Sequence, residues 1–279
     1  MNVLKPSTRR RVLGGLASIA SGLLSLPFLS RFGRAMAQDD VRRVGRGKSW
    51  WGMGIDLDLC TACGACAVAC KTENNVPPAK PGEENAGTGI YWMDMVARDP
   101  VAEGDEPRQI APMPCMHCEN PPCVKVCPVN ATYQNDEGIV AMVWDRCIGC
   151  RYCEVSCPYS RRFFNWSEPD WPETYRNFLN PDVATRPEGV VEKCTFCTHR
   201  VRKKRIDAEL QGREMQDAEL QRLPACAQAC PAEAIVFGDM NDPESLVSRL
   251  SKSSRVFRLL EHLGTRPKVF YLARERRDQ

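Results

Sequence analysis

Sixteen cysteines carry most of the chemistry that this chain of 279 residues can offer. They fall into four groups of four, and none is left over. In chain order the groups are Cys60, Cys63, Cys66 and Cys70; Cys115, Cys118, Cys123 and Cys127; Cys147, Cys150, Cys153 and Cys157; and Cys194, Cys197, Cys226 and Cys230. Thiolates are ligands for zinc and for the iron of iron-sulfur clusters, so the pattern predicts four metal centres.

The spacing within the groups favours iron-sulfur clusters. Groups one and three have the spacing C-x2-C-x2-C-x3-C, and a proline follows the last cysteine of groups two, three and four. Three thiolates on a tight loop wrap one face of a 4Fe-4S cluster, and the fourth ligates the other cluster of a pair. Gly64 and Gly149 let backbone amides approach the sulfurs. The sequence therefore predicts four 4Fe-4S clusters.

Two other uses of the cysteines compete with this one. A disulfide framework is disfavoured because such scaffolds are shorter and richer in cysteine, and because three closely spaced cysteines on one loop leave little freedom for bridging. Zinc suits group four best, whose spacing is C-x2-C-x28-C-x3-C, but the prolines and the third cysteine of groups one and three are not zinc features. A structural zinc or disulfide protein stays open as an alternative.

Groups two and three are close in sequence, because only 19 residues separate Cys127 from Cys147. This stretch predicts a short helix at 128–132, a turn at 135–138 and a strand at 139–144, as between the halves of a two-cluster ferredoxin. Groups one and four then form a second unit, split by the first. On the crossed-ligand rule the sets are Cys60, Cys63 and Cys66 with Cys230; Cys194, Cys197 and Cys226 with Cys70; Cys115, Cys118 and Cys123 with Cys157; and Cys147, Cys150 and Cys153 with Cys127.

The expected fold class is α+β, with two interleaved ferredoxin-like units and long inserted loops. The expected parts are an outer unit at 50–114 plus 190–240, an inner unit at 115–160, an inserted loop at 161–189 and a C-terminal helical extension at 241–279. The extension is expected to hold two helices, one around 243–250 and one around 256–263. The charge-dense stretch after Cys197 predicts a solvated helix that ends near Gly212.

The N-terminal residues 1–37 have the order of an export signal. Arg9 and Arg10 precede an uncharged run at 12–28, and the stretch 35–37 supplies a small-x-small cleavage site. The paired arginines favour the twin-arginine route, which carries folded proteins, and predict a periplasmic location. An uncleaved membrane anchor is the alternative, although Pro27 weakens it.

Charge distribution argues against nucleic-acid binding. The formal net charge is +3, but residues 1–37 hold six positive side chains and no acid. Beyond residue 37 the chain carries 32 positive and 35 negative side chains, so it lacks the concentrated positive field that nucleic acids require.

The cysteine motifs resemble a known family. The stretch 115–123, Cys-Met-His-Cys-Glu-Asn-Pro-Pro-Cys, the stretch 192–197, Glu-Lys-Cys-Thr-Phe-Cys, and the long spacer of group four are similar to four-cluster iron-sulfur subunits of the complex iron-sulfur molybdoenzyme family, such as polysulfide and tetrathionate reductases. The sequence from residue 235 onward resembles the iron-sulfur portion of alternative complex III and related quinone reductase complexes. That portion is usually fused to a large molybdopterin-like domain, whereas we expect this chain to be a separate subunit. Its group three often lacks one cysteine, whereas Cys150 is present here.

The resemblance implies a non-catalytic electron-transfer subunit of an oxidoreductase complex. Its expected partners are a molybdopterin-type subunit, an integral membrane quinone-binding subunit and a cytochrome c. No catalytic triad, phosphate loop or paired-carboxylate site is visible in the sequence. A free-standing exported polyferredoxin is the alternative within the same chemistry. His117, between Cys115 and Cys118, is open to three roles: tuning a cluster, relaying protons or packing the loop.

Overall fold

The computed structural model describes residues 47–80, 88–98 and 109–275, so the predicted export signal lies outside the described residues. The strands are β1 (Trp51–Asp56), β2 (Met93–Arg98), β3 (Gln109–Pro114), β4 (Thr132–Gln134), β5 (Val140–Met142), β6 (Phe163–Phe164), β7 (Val191–Glu192), β8 (Ile235–Asp239), β9 (Val256–Phe257) and β10 (Val269–Leu272). The helices are α1 (Ala65–Glu73), α2 (Pro122–Lys125), α3 (Tyr152–Val155), α4 (Glu173–Arg176), α5 (Thr198–Leu210), α6 (Asp217–Leu220), α7 (Ala225–Gln228) and α8 (Leu246–Leu250), with 3-10 turns at Trp144–Arg146 and Glu261–Leu263. The mixed helix and strand content that the sequence predicts is confirmed.

One sheet joins the beginning and the end of the described chain. Its strand order is β8-β1-β10-β9, with β1 antiparallel to β8 and parallel to β10. Trp51, Met53 and Ile55 of β1 are buried because β1 is a central strand. Gly54 is required in this strand, since a Cβ atom there would lie 2.9 Å from the Phe270 ring. The sheet brings the strand before group one next to the strand after group four.

Three two-stranded ladders complete the strand pairing of the described residues. β2 pairs with β3, β4 with β5, and β6 with β7, all antiparallel. β8 follows the last cysteine of group four, and β2 and β3 lie between groups one and two.

The helix predicted at 128–132 is wrong. Asn130 takes a left-handed φ of 52°, which ends any helical course, and β4 begins at Thr132. The Thr132 N–H donates to the sulfur of Cys127 at 3.5 Å, and the Val143 N–H donates to the carbonyl of Ala131 at 2.8 Å. These bonds extend the segment into a hairpin with β5.

The C-terminal part is less helical than the sequence suggests. The first predicted helix is confirmed as α8, capped by the Ser245 hydroxyl, which accepts from the Ser248 N–H at 3.2 Å. The second is wrong, because Val256 lies in β9 and Leu260 has a left-handed φ of 49°. β10 follows and pairs with β1, so the outer sheet extends past residue 240.

The charge-dense helix is confirmed as α5, which buries Val201 and Ala208. Gly212 follows it with a φ of 65°, the left-handed conformation expected just after a helix.

Candidate metal centres

All sixteen cysteines lie among the described residues and are free thiols. Group four is wholly buried, and group two is buried except for the half-buried Cys127. Groups one and three each place one thiol at the surface, Cys63 and Cys150. Thus two groups lie in the interior and two groups reach solvent.

Left-handed residues shape each loop around its thiols. Positive φ values occur at Gly64 (76°) in group one, His117 (41°) in group two, Gly149 (68°) and Arg151 (60°) in group three, and Cys197 (50°) in group four. Left-handed residues next to ordinary ones turn successive backbone N–H groups toward one side, a concave arrangement that binds anions and iron-sulfur clusters. The loops therefore have the backbone form that the spacing predicts.

Backbone amides donate directly to several sulfurs. The Phe196 N–H donates to Cys194 at 3.4 Å, and the Ala234 N–H donates to Cys230 at 3.4 Å. Hydrogen bonds to sulfur stabilise the thiolate form and tune the potential of a bound cluster. The residues present fit an iron-sulfur cluster by donor chemistry, since each set would supply reduced thiols and backbone amides donate to sulfurs of groups two and four.

The structure brings the last cysteine of group one to group four. The Asn74 side-chain amide lies 3.7 Å from the sulfur of Cys70 and 3.7 Å from that of Cys197. Burial raises the pKa of Cys70 well above its usual range, and the thiolates of Cys194, Cys197 and Cys226 raise it further. Cys70 therefore lies near the thiols of group four, and its place in their cluster set stays a prediction.

Thiols of different groups also lie near one another at two further positions. Burial raises the pKa of Cys66 to about 11, with contributions from Cys60 and from Cys230 of group four. Burial also raises the pKa of Cys118, and Cys115, Cys123 and the group three residue Cys157 add to the shift. For the fourth set, the thiols that raise the pKa of Cys153 besides its burial are Cys123 and Cys147, so the place of Cys127 in it stays a prediction.

His117 packs inside the protein. Its ring stacks on Phe196 with centroids 3.7 Å apart, and its Nδ1 accepts from the Val140 N–H at 3.2 Å. Burial lowers the pKa of His117 well below its usual range, and the nearby charges of Lys193 and Lys268 lower it further. A neutral, stacked imidazole supports loop packing over cluster tuning and proton relay.

A buried ion pair, which the cysteine pattern does not reveal, fastens the inserted loop. Arg186 and Glu192 have fully buried side chains, and the guanidinium donates to the carboxylate at 2.6 Å. Arg186 also donates to the carbonyls of Asn74 and Asn75 at 2.7 and 2.8 Å. The Trp92 indole donates to the same carboxylate at 2.8 Å. The loop is therefore bound to the end of α1 and to β2.

Asn74 is a second residue that sequence reasoning missed. It follows Cys70 by one helical turn, a position from which a side chain reaches back to the same face, and this spacing was the available signal.

Among the described residues, no group of three or more His, Cys, Asp or Glu is arranged to hold a single metal ion. In the same part of the chain, no helix has the length and apolar character needed to cross a membrane.

The fold and the thiol groups define an iron-sulfur protein of the dicluster ferredoxin type. Two family models, each described as a 4Fe-4S dicluster domain, match residues 59–131 and 108–172. The chain is 50% identical over 231 residues to the menaquinone reductase iron-sulfur cluster-binding subunit of Nitratidesulfovibrio vulgaris, covering 80% of this chain and 89% of the relative.

Two further relatives are parts of other reductases. One component of the polysulfide reductase of Wolinella succinogenes is 33% identical over 230 residues, with 81% of this chain and 95% of the relative covered. One component of the tetrathionate reductase of Salmonella typhimurium is 31% identical over 268 residues, with 95% and 88% covered. This protein belongs to the electron-transfer iron-sulfur subunits of the complex iron-sulfur molybdoenzyme family, and the predicted resemblance is confirmed.

Proposed function

We propose that this protein binds four 4Fe-4S clusters through the four crossed cysteine sets and conducts electrons through them in one line. The observation that carries the proposal is that thiols of one group lie close enough to thiols of another to raise their pKa. Cys66 of group one contributes to the raised pKa of Cys226 in group four, after burial and two thiols of that group. Burial raises the pKa of Cys194 to about 12, and Cys115 of group two contributes. Cys123 of group two contributes likewise at Cys153 of group three, where burial is the largest cause.

These electrostatic effects between neighbouring thiols support the order one, four, two, three along the molecule. The two end positions of this order are the groups with surface thiols, Cys63 and Cys150. Exposed apolar side chains accompany them: Val68 is 68% exposed after the first loop, and Val155 is 86% exposed after the third. Electrons would therefore enter and leave at groups one and three, through surfaces suited to partner contact.

The same order supports two interleaved ferredoxin-like units. Groups one and four share the sheet in which β1 pairs with β8. Groups two and three are linked by the β4-β5 hairpin. The outer unit is thus split in sequence by the inner one.

The partners follow from the relatives. We infer a molybdopterin-type subunit at one end and an integral membrane quinone-binding subunit at the other, because the relatives include components of menaquinone, polysulfide and tetrathionate reductases. A cytochrome c is a further electron partner that the family resemblance implies. Co-purification tests this proposal: capture of the tagged protein from membranes recovers a membrane subunit and a large subunit with it, whereas a free-standing polyferredoxin is recovered alone.

Export to the periplasm by the twin-arginine route is proposed from residues 1–37 alone. Replacing Arg9 and Arg10 with lysine should leave the protein in the cytoplasm, because the pair is what the export machinery reads. Undiminished periplasmic delivery of this variant would contradict the route.

Metal analysis tests the cluster count. Four filled sets require about 16 irons and as many acid-labile sulfides per chain purified without oxygen. Eight or fewer irons in fully loaded protein, or stoichiometric zinc, would overturn the assignment.

The pairing is tested by Cys157→Ala, which should convert or abolish the cluster of Cys115, Cys118 and Cys123 while iron remains on the loop of Cys147.

A further inference from the structure

Three buried cations without a carboxylate partner lie near the cysteine groups. Arg162 is 3% exposed, Lys193 1% and Lys268 3%, and in the described part of the chain none of them forms an ion pair with an acid. Arg186 is equally buried but is neutralised by Glu192. A buried charge is costly unless an opposite charge or hydrogen bonds compensate it, and backbone carbonyls accept hydrogen bonds from Lys193 and Lys268.

Arg162 has the most informative surroundings. Its Nη1 donates to the Thr132 hydroxyl at 3.1 Å and lies 3.4 Å from the sulfur of Met142. Its Nη2 is buried and has no hydrogen-bond partner among the described residues. The hydrogen bond to Thr132 therefore accounts for only part of the guanidinium, and thiols stabilise the rest.

The charge comes from thiols of two different groups. Met142 packs in one apolar cluster with Cys123 of group two and Cys153 of group three. Burial would lower the pKa of Arg162, but the thiolates of Cys123, Cys153 and Cys115 outweigh it and raise the pKa above its usual range. Through its contact with Met142, the guanidinium thus neighbours the thiols of groups two and three.

We propose that Arg162 is the residue that sets the reduction potentials of the two inner-unit clusters together. This inference rests on the proposed function. One electron that arrives from the neighbouring outer set adds one negative charge beside Arg162, which favours reduction there. The guanidinium keeps its proton throughout, so no proton has to move with the electron. Without this charge the inner unit would be a poorer electron acceptor.

A pair of adjacent arginines provides the test. Arg162→Gln removes the unpaired charge, whereas the double variant Arg161→Gln with Asp94→Asn removes a neutral ion pair, whose partners lie 2.8 Å apart. The measurement is a redox titration of the full chain followed by electron paramagnetic resonance. Arg162→Gln should lower two of the four midpoint potentials, shifting each reduction equilibrium by a factor of about ten or more, which is about 59 mV for one electron. The double variant should leave all four potentials in place.

A second variant keeps the test decisive if Arg162→Gln does not load its clusters. Thr132→Asp places a carboxylate beside Nη1 and neutralises Arg162 without removing it, and Thr132→Asn is the uncharged control. The aspartate should lower the same two potentials and the asparagine should not.

Unmoved potentials, or equal shifts of all four, would overturn the role of Arg162. Fewer than four cluster signals in the wild-type protein would instead overturn the proposed function, so the two failures are distinguishable.

Discussion

Groups one and three differ from groups two and four in burial, and the difference follows the length of their spacers. Groups one and three have the compact x2-x2-x3 spacing and expose Cys63 and Cys150. Group two has four residues between Cys118 and Cys123, and group four has 28 between Cys197 and Cys226. The longer spacers add chain that covers the loop, α5 and α6 in group four among it. A compact loop thus leaves its thiols near solvent, and an extended one encloses them.

Removing one member of the buried Arg186–Glu192 ion pair should have the largest effect on the stability of the protein. Arg186→Leu leaves the Glu192 carboxylate buried without its charged partner and with only the Trp92 indole donating to it, which should cost about 3–5 kcal/mol of unfolding free energy. Arg176→Leu is the control, because Arg176 pairs with Asp170 at the surface and such a pair contributes about 1 kcal/mol or less. Urea denaturation followed by circular dichroism measures both. Similar midpoints for the two variants would contradict the assigned importance of the buried pair.

Loss of iron should distinguish the exposed from the enclosed groups. In air or with a chelator, the centres at groups one and three should fail first, because their thiolates are accessible to oxidants. We expect a first phase that removes about half of the iron and leaves two cluster signals. Iron analysis with parallel resonance spectra measures the phases. Simultaneous loss of all signals would show that burial of the groups does not govern their lability.

Lys268 should make the folding stability of the protein depend on pH. Burial lowers its pKa from 10.5 to about 7, so between these values the unfolded state binds more protons than the folded one. The stability that depends on Lys268 should therefore rise with pH across this window, by roughly 1 kcal/mol per pH unit, and be lowest below pH 7. Lys268→Met should remove this rise, and Lys203→Met, at an exposed lysine, should keep it. Denaturation midpoints at pH 7 and 9 test the sign, and a wild-type profile as flat as that of Lys268→Met would refute it.

The smallest effect should come from the exposed apolar side chains. Val155→Ala should change the unfolding free energy by about 0.5 kcal/mol or less, because Val155 is mostly in solvent. Val191→Ala, in a fully buried position of β7, should cost about 1–3 kcal/mol. The same denaturation assay compares them. A large loss for Val155→Ala would mean that the third loop packs against more of this chain than its exposure indicates.

The parts of the fold predictable from sequence were those with local signals. Cysteine spacing identified the four groups, and charge density with Gly212 located the end of α5, since both patterns lie within one short segment. β10 was missed because its four residues show no strand alternation and its partner β1 lies about 210 residues away. No local pattern marks such pairing.

The buried charges were missed for a related reason. Arginine and lysine are mostly exposed, so Arg162 and Lys268 read as surface residues in the sequence. Their burial depends on thiols and carbonyls that other segments supply, such as Cys123 and the Gly138 carbonyl that accepts from Lys268. The ligand groups could be read from spacing, but their electrostatic surroundings required the folded chain.

The pairing of β1 has a consequence for biosynthesis. Its two hydrogen-bonding neighbours, β8 and β10, are translated about 180 and 210 residues after it. At about 5–20 residues per second, the first strand waits on the order of ten to forty seconds for a partner. During that interval Trp51, Met53 and Ile55 form an unpaired apolar segment, the kind that chaperones recognise and that aggregates when left uncovered. Late closure of this sheet makes the nascent chain dependent on protection until its final strands emerge.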